Sequence, residues 1–186
     1  MPTSADKAAR VLEQADCLHT ATEVASALDR MADAIQRDHH DTDPLVLCLM
    51  IGGLIPAGHL LSRIQSPLQI DYIHATRYRG ETVGGDLEWK RLPSRPLAGR
   101  HVLLIDDILD QGLTLAAIRD YCHAEGAASV SIAVLTRKAI QRPVEIDADY
   151  VGLEVEDRYV FGFGMDYEHY LRNLDGIYAL KEEPHG

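Results

Sequence analysis

A strand, a tight loop and a helix follow one another in residues 101–126, HVLLIDDILDQGLTLAAIRDYCHAEG. The continuous apolar run in residues 101–107 is typical of a strand that is buried on both faces of a sheet. Residues 115–126 are amphipathic and end in Gly126, a residue type that often follows the last turn of a helix. A buried strand that runs directly into a helix predicts an α/β fold.

Further strands and helices extend this unit on both sides. A helix is predicted over residues 4–38, where apolar residues recur every three or four positions, and a short helix over residues 54–64. Strands are predicted at PLVLCLMIGG (44–53), QIDYIHATRY (69–78), SVSIAVLTRK (129–138) and ADYVGLEVED (148–157). Strands separated by helices indicate a doubly wound parallel sheet with right-handed crossovers. Such sheets bind ligands at the carboxyl ends of their strands, where the polar residues of this chain converge.

The overall composition limits the possible classes of function. The chain has 186 residues, of which 46% are hydrophobic, and this fits one globular domain. Its formal net charge of −11 argues against non-specific binding to nucleic acid, because such binding needs clustered Lys and Arg. The N-terminus does not resemble a signal peptide, and the longest apolar run, residues 45–51, is too short to span a bilayer. The three cysteines are far apart and fit free thiols, so we expect a soluble, cytoplasmic protein.

The segment VLLIDDILDQGLT, residues 102–114, carries groups that suit a sugar phosphate. Asp106 and Asp107 end the strand and suit hydroxyl groups or a hydrated Mg²⁺. Gly112 permits a tight turn whose N–H groups can form an anion-binding nest, and the start of the next helix adds a partial positive charge. A single D-x-x-x-G pattern would also fit an ordinary loop in which Asp110 only caps the helix. The whole pattern favours a sugar-phosphate site.

Residues 102–114 closely resemble the binding signature for phosphoribosyl pyrophosphate (PRPP) of type I phosphoribosyltransferases. With the segments described below, residues 45–174 resemble the hypoxanthine-guanine phosphoribosyltransferase family. The resemblance implies a type I phosphoribosyltransferase fold, in which helices flank a parallel sheet and a small C-terminal hood covers the base. It also implies a single domain over residues 1–186, with a hood formed mainly by residues 156–186 and a mobile lid loop over about 77–95.

The resemblance assigns the sugar and the 5′-phosphate of PRPP to the signature itself. Asp106 and Asp107 would face the ribose hydroxyls, directly or through Mg²⁺ and water. Asp110 would be the catalytic acid/base beside N7 of the purine. The 5′-phosphate would be cradled by the backbone of Gln111, Gly112, Leu113 and Thr114. Relatives usually carry Thr or Ser where this chain has Gln111, so we expect phosphate binding to depend on the backbone.

The resemblance assigns pyrophosphate to three separate segments. Its expected contacts are Ile51, Gly52 and Gly53 in a loop that often contains a cis non-proline peptide, Arg77 and Tyr78 at the start of the lid, and Arg172. Many relatives carry Lys where this chain has Ile51. The sequence leaves open whether Arg77 replaces that missing cation.

The resemblance assigns the purine to residues near the carboxyl ends of the last strands. Lys138 would donate to the oxygen at C6 of the base, although a Lys at the end of a strand is usually a solvated side chain. Tyr159 would stack on the base, and the backbone of Val160 would read its edge. Asp166 would bind a second Mg²⁺, in addition to the metal at Asp106 and Asp107.

The expected reaction is PRPP plus hypoxanthine or guanine giving IMP or GMP plus pyrophosphate, with Mg²⁺ as cofactor, in purine salvage. We expect a homodimer or homotetramer and no nucleic-acid or membrane partner. One alternative is the same class of enzyme with xanthine or another base, and the sequence does not decide among hypoxanthine, guanine and xanthine. Another alternative is a non-catalytic regulator that senses PRPP and binds RNA or DNA; it would need a basic face, which this acidic chain does not indicate.

Overall fold

A parallel sheet forms the centre of the protein. The computed structural model describes residues 3–77 and 87–181. Within these residues the main sheet has six strands, β2 (Leu45–Leu49), β3 (Gln69–Arg77), β4 (Leu87–Arg91), β5 (His101–Leu109), β6 (Ser129–Lys138) and β7 (Tyr150–Val155). Their order is β4-β3-β2-β5-β6-β7; β4 is antiparallel to β3, and the other neighbours are parallel. The predicted α/β fold with a mainly parallel sheet is confirmed.

Helices cover both faces of the sheet, which explains the continuous apolar runs of the central strands. One face, including Leu103 and Ile105 of β5, packs with α2 (Ala21–His39) and α3 (Leu54–Leu61). The alternate residues Val102 and Leu104 pack on the other face with α4 (Leu113–Ala124). Because successive side chains of a strand point to opposite faces, β5 needs apolar residues at both.

The predicted single helix over residues 4–38 is wrong, because a short strand interrupts it. Helix α1 (Ser4–Gln14) is followed by β1 (Asp16–His19) before α2 begins. Thr20 caps α2: its hydroxyl accepts from the backbone N–H of Glu23, and the Glu23 carboxylate accepts from the backbone N–H of Thr20. This capping box marks a new helix start and was the sequence signal for the break.

A second, smaller sheet contains β1, β8 (Val160–Phe161) and β9 (Ile177–Ala179), in the order β1-β9-β8 with antiparallel pairs. The expected hood range, residues 156–186, contains β8 and β9 but not β1. A strand from the N-terminal region therefore also belongs to this sheet. An ion pair between Asp16 of β1 and Arg158, beside β8, joins the two parts of the chain.

The range expected for the lid loop, about 77–95, contains β4, which pairs antiparallel with β3. Strand β4 pairs with the end of β3, with Thr76 opposite Glu88 and Arg77 opposite Leu87. Tyr78, and the rest of residues 78–86, lie outside the described residues. No helix in the described ranges is long and apolar enough to cross a membrane.

Candidate active site

Two adjoining cavities lie where β5 and β6 end. The first, which we call the loop cavity, has a volume of about 470 Å³ and is lined by Asp106, Asp107, Ile108, Asp110, Gln111, Gly112, Leu113, Thr114 and Leu115. The second, which we call the hood cavity, has a volume of about 270 Å³ and is lined by Asp107, Ile108, Asp110, Lys138, Tyr159, Val160, Met165 and Asp166. Asp107, Ile108 and Asp110 line both cavities. The sequence-predicted residues of the signature and of the base-binding stretch therefore meet at one edge of the sheet.

Two carboxylates, Asp106 and Asp107, stand at the border between the cavities. Asp107 is buried, and its Oδ1 accepts a hydrogen bond from the backbone N–H of Ile108 at 2.8 Å. Burial raises the pKa of Asp106 well above its usual value, and the neighbouring Asp107 charge raises it further. Burial also raises the pKa of Asp107, although its contact with Asp106 and the charge of Arg172 act in the opposite direction. Such a pair favours a bound cation or a proton, because the two negative charges destabilise each other.

The loop that follows the carboxylates leaves room for an anion. Gly112 precedes α4 with a left-handed φ of +76°, a conformation that suits glycine. A Cβ added at Gly112 would collide with the Ile146 side chain. Gly112, and not Asp110, occupies the N-cap position of α4, so the alternative that Asp110 only caps this helix does not hold. The first N–H groups of a helix have no partner within the helix, and the residues at this helix start line the loop cavity.

The predicted pyrophosphate loop lies against the carboxylates. The Met50–Ile51 peptide bond is cis, as the family resemblance implied. A Cβ added at Gly52 would collide with the Asp107 carboxylate, and one added at Gly53 would lie 2.7 Å from the Leu49 carbonyl oxygen. The Ile51 side chain is exposed and offers no charge. This part of the site therefore presents backbone, and not a cation, to a ligand.

Arg172 and Asp166 pair with each other. The Arg172 guanidinium lies 2.6 Å from Asp166 Oδ1 and 3.9 Å from Asp107 Oδ2. Asp166 Oδ2 also accepts from the backbone N–H of His169 at 2.7 Å. In residues 3–77 and 87–181 no group of three or more His, Cys, Asp or Glu side chains is placed to hold a metal ion. A metal at these carboxylates would therefore need further oxygen ligands from a substrate or from water.

The hood cavity contains an ammonium group between two carboxylates. Lys138 Nζ lies 3.3 Å from Asp110 Oδ2 and 3.3 Å from Asp157 Oδ1, and the Lys138 side chain is only 11% exposed. The other oxygen of Asp110, Oδ1, is buried and has no hydrogen-bond partner in the described part of the chain. Lys138 is therefore not the solvated side chain that its position in the sequence would favour when taken alone.

An aromatic ring and a strand edge complete the hood cavity. Tyr159 is 48% exposed, and its hydroxyl donates to the Asp166 carbonyl at 3.1 Å. Val160 begins β8 and pairs with Ala179 of β9. The structure thus brings Tyr159 and Val160 to the same cavity as Lys138. The Arg77 backbone ends β3, but its side chain and Tyr78 are not among the described parts of the chain.

Comparison with known proteins agrees with this geometry. The phosphoribosyl transferase domain family matches residues 14–169. A hypoxanthine-guanine phosphoribosyltransferase of Streptococcus pneumoniae is 33% identical over 162 residues, which cover 87% of this chain and 90% of that protein. The chain belongs to the hypoxanthine-guanine phosphoribosyltransferase family. A hypoxanthine-guanine-xanthine phosphoribosyltransferase of Tritrichomonas foetus is 30% identical over 166 residues, covering 89% of this chain and 91% of that protein.

Solved structures of phosphoribosyltransferases share the fold. A hypoxanthine phosphoribosyltransferase from Staphylococcus aureus superposes with a TM-score of 0.87 at 27% identity, covering 91% of this chain and 94% of that one. A hypoxanthine-guanine-xanthine phosphoribosyltransferase superposes with a TM-score of 0.83 at 26% identity, covering 91% and 99% of the two chains. The expected type I phosphoribosyltransferase fold, and the resemblance from which it was inferred, are confirmed.

Sequence reasoning missed two polar residues that support the site of this phosphoribosyltransferase. Thr136 of β6 is fully buried, and its hydroxyl donates to the Asp107 carbonyl at 2.9 Å. A polar residue inside the apolar run SVSIAVLTRK was the signal for it. Arg142 donates to backbone carbonyls of the loop that carries Asp110, and nothing in the local sequence predicted that contact.

Proposed function

We propose that this phosphoribosyltransferase transfers the ribose 5-phosphate unit of PRPP to hypoxanthine or guanine, giving IMP or GMP and pyrophosphate in purine salvage. One observation carries the proposal: in the hood cavity Lys138 contacts Asp110 at 3.3 Å, while the second oxygen of Asp110 is buried without a hydrogen-bond partner among the described residues. A donor for a carbonyl oxygen thus stands beside an acceptor for a proton. A 6-oxopurine offers both groups on one edge, as O6 and the N7 proton.

The loop cavity would hold the sugar phosphate. The N–H groups of Gln111, Gly112, Leu113 and Thr114 at the start of α4 bind the 5′-phosphate, since a helix start favours negative charge. Asp106 and Asp107 accept hydrogen bonds from the ribose hydroxyls. In this proposal C1 of the ribose would lie beside Asp110, which lines both cavities.

Pyrophosphate would leave toward the loop that contains the cis peptide. The backbone of Ile51, Gly52 and Gly53 would contact it beside Asp107, whose carboxylate fills the place that a Cβ would take at Gly52. Arg172 supplies positive charge once the pyrophosphate competes with Asp166 and Asp107 for its guanidinium. We also assign Arg77 and Tyr78 to pyrophosphate, as the family resemblance implies.

Magnesium fits the carboxylates of this site. Asp106 and Asp107 repel each other in a desolvated place, which their raised pKa values reflect, and a hard cation relieves that repulsion. Mg²⁺ usually binds through one or two carboxylates together with substrate phosphates and water. We propose one ion at Asp106 and Asp107 and a second at Asp166; when bound, they neutralise charge on the leaving pyrophosphate.

The residues of the hood cavity would perform the chemical step. As the bond between C1 and pyrophosphate breaks, positive charge develops on the ribose, and the lone pair on N9 of the base forms the new bond to C1. Asp110 accepts the N7 proton as the base attacks, a contribution of about 10²–10⁴-fold to the rate. Lys138 donates to O6, Tyr159 stacks on the purine ring, and the Val160 backbone reads its edge.

Xanthine is a second candidate base, because the relative from Tritrichomonas foetus is named for it. Xanthine also carries an oxygen at C6, so Lys138 can donate to xanthine as it does to hypoxanthine. We place the enzyme in the cytoplasm and propose a homodimer or homotetramer. Large exposed apolar side chains on β3, β4 and the residue after β4 support self-association: Ile70, Tyr72, Trp89 and Leu92.

The test is release of pyrophosphate from PRPP and Mg²⁺ with a panel of bases. We expect release with hypoxanthine and guanine and little release with adenine. No release with any purine would refute the proposal. PRPP binding without turnover, together with a mobility shift of RNA or DNA, would support a regulator instead.

A further inference from the structure

One arginine outside the two cavities ties together the backbones that carry the residues of the proposed chemistry. Arg142 Nε donates to the carbonyl of Asp110 at 2.9 Å, and its Nη2 donates to the carbonyls of Leu109 at 3.1 Å and Lys138 at 2.7 Å. Leu109 and Lys138 are the last residues of the neighbouring strands β5 and β6. The same guanidinium therefore contacts both strand ends and Asp110, the residue that follows β5.

This contact begins where β5 and β6 stop pairing with each other. The last paired residues of β5 and β6 are Leu109 and Arg137. Lys138 still pairs with Val155 of β7, whereas Asp110 lies beyond the end of β5. No strand pairing therefore links Asp110 to Lys138, although their side chains lie 3.3 Å apart. A planar guanidinium with its donors in a fixed fork can hold three carbonyls at set distances, and a charged donor makes a stronger hydrogen bond than a neutral one.

We infer that Arg142 is a positioning residue that holds the proton acceptor Asp110 and the base-reading Lys138 in register. This inference rests on the proposed function of those two residues. Arg142 is not among the residues that line the two site cavities, and it acts through the backbone of Leu109, Asp110 and Lys138. Its aliphatic part also lies near Gly112, because its Cδ is 3.6 Å from the position that a Cβ would take there.

A loss of this anchor should change the choice of base as well as the rate. When Asp110 and Lys138 shift relative to each other, the N7 proton and O6 of one purine can no longer contact both residues at once. A displacement of roughly 1 Å costs about 10²-fold in rate when the reacting groups are otherwise positioned. A role in stability alone would lower the amount of folded enzyme but would leave the ratio of hypoxanthine to adenine kcat/KM unchanged.

The test compares Arg142→Lys and Arg142→Ala with the matched control Arg119→Ala. Arg119 lines the same outer cavity as Arg142, donates to the Glu145 carbonyl at 3.1 Å and pairs with Asp120, and neither of these partners lines a site cavity. We expect kcat with hypoxanthine to fall about 10-fold in Arg142→Lys and about 10²-fold in Arg142→Ala. The preference for hypoxanthine over adenine should fall in both. Arg119→Ala should keep both values.

Two further measurements test the role of Arg142: chemical rescue of the Arg142→Ala variant and a crystal structure of Arg142→Lys. Added ethylguanidinium should restore part of the activity of Arg142→Ala; if that variant does not fold, the kcat and base ratio of Arg142→Lys decide. In a crystal structure of Arg142→Lys, the distance between Lys138 Nζ and Asp110 should exceed the present 3.3 Å. The inference would be overturned if the Arg142 variants kept the wild-type kcat, the wild-type preference for hypoxanthine over adenine and the wild-type distance between Lys138 and Asp110. An inactive wild-type protein would overturn the proposed function instead, and the distance would still test the role of Arg142.

Discussion

Replacement of Asp110 by Asn separates the proton-acceptor role of this residue from its contribution to folding. Asn has the shape of Asp but cannot take the N7 proton. The exchange removes one of the two carboxylates beside Lys138 and leaves Asp157 at 3.3 Å. It also removes a charged oxygen that is buried without a hydrogen-bond partner in the described part of the chain, and this offsets the lost ion pair.

The structure predicts a large effect of Asp110→Asn on the rate and a small one on stability. Because Asp110 is 43% exposed, its ion pair with Lys138 contributes less than about 1 kcal/mol. In a chain of this size 1 kcal/mol shifts the melting temperature by roughly 2–4 °C. The general-base contribution predicts that kcat falls by about 10²-fold or more. The affinity for PRPP should change little, because we assign the 5′-phosphate to the backbone at the start of α4.

The assay combines steady-state pyrophosphate release with calorimetric titration of PRPP and thermal unfolding of the same preparation. A folded Asp110→Asn enzyme with a near-normal kcat would refute the assignment of Asp110 as the proton acceptor. A matched control is Asp157→Asn, which removes the other carboxylate beside Lys138 but does not line either cavity. Its kcat should fall much less than that of Asp110→Asn.

Two further predictions concern the phosphate nest and the carboxylate pair. Gly112→Val should abolish most activity, because Val disfavours φ +76° and its Cβ collides with Ile146, whereas Gln111→Ala should be mild; full activity of Gly112→Val would exclude the nest. Asp106→Ala with Asp107→Ala should weaken PRPP binding at least about 10-fold in calorimetry, since hydrogen bonds to charged groups contribute about 1.5–3 kcal/mol each. Because the folded-state pKa values of Asp106 and Asp107 are raised, their protonated forms stabilise the fold at low pH, and that stabilisation is lost as pH rises through these pKa values. The double variant Asp106→Asn, Asp107→Asn should therefore gain stability relative to wild type as pH rises from 4 toward 8, measured by thermal unfolding without Mg²⁺. A difference in melting temperature that does not change with pH would contradict the raised pKa values.

The parts of the fold that follow local rules could be predicted from the sequence. The run HVLLIDD predicted a strand buried on both faces, and Gly112 predicted the turn into α4. Both predictions were possible because each feature is determined by residues that are consecutive in the chain. β1 could not be predicted in this way, since its partner β9 lies about 160 residues further along the chain. The pattern of apolar residues continued through Asp16–His19, and only the capping box at Thr20 marked the break.

The candidate site shows the same division. The signature predicted which residues line the loop cavity, because its carboxylates and glycine are consecutive in the chain. The contact between Lys138 and Asp110 depends on β5 and β6 being neighbours in the sheet. The strand pattern predicts a parallel sheet but does not predict which strands are neighbours. The three hydrogen bonds of Arg142 depend on the path of a loop after β6, and no periodicity in the sequence encodes that path.

The choice between bases that differ only at C6 tests the central claim most directly. The measurement is kcat/KM of the wild-type enzyme for hypoxanthine and for adenine in direct competition, repeated with Lys138→Met. An ammonium group donates but cannot accept, so the amino group of adenine leaves a buried donor facing another donor, at a cost of roughly 1–3 kcal/mol. The wild-type enzyme should therefore prefer hypoxanthine by about 10-fold or more, since 1.4 kcal/mol corresponds to about tenfold, and Lys138→Met should lose most of that preference. Equal kcat/KM for hypoxanthine and adenine in the wild-type enzyme would contradict the account.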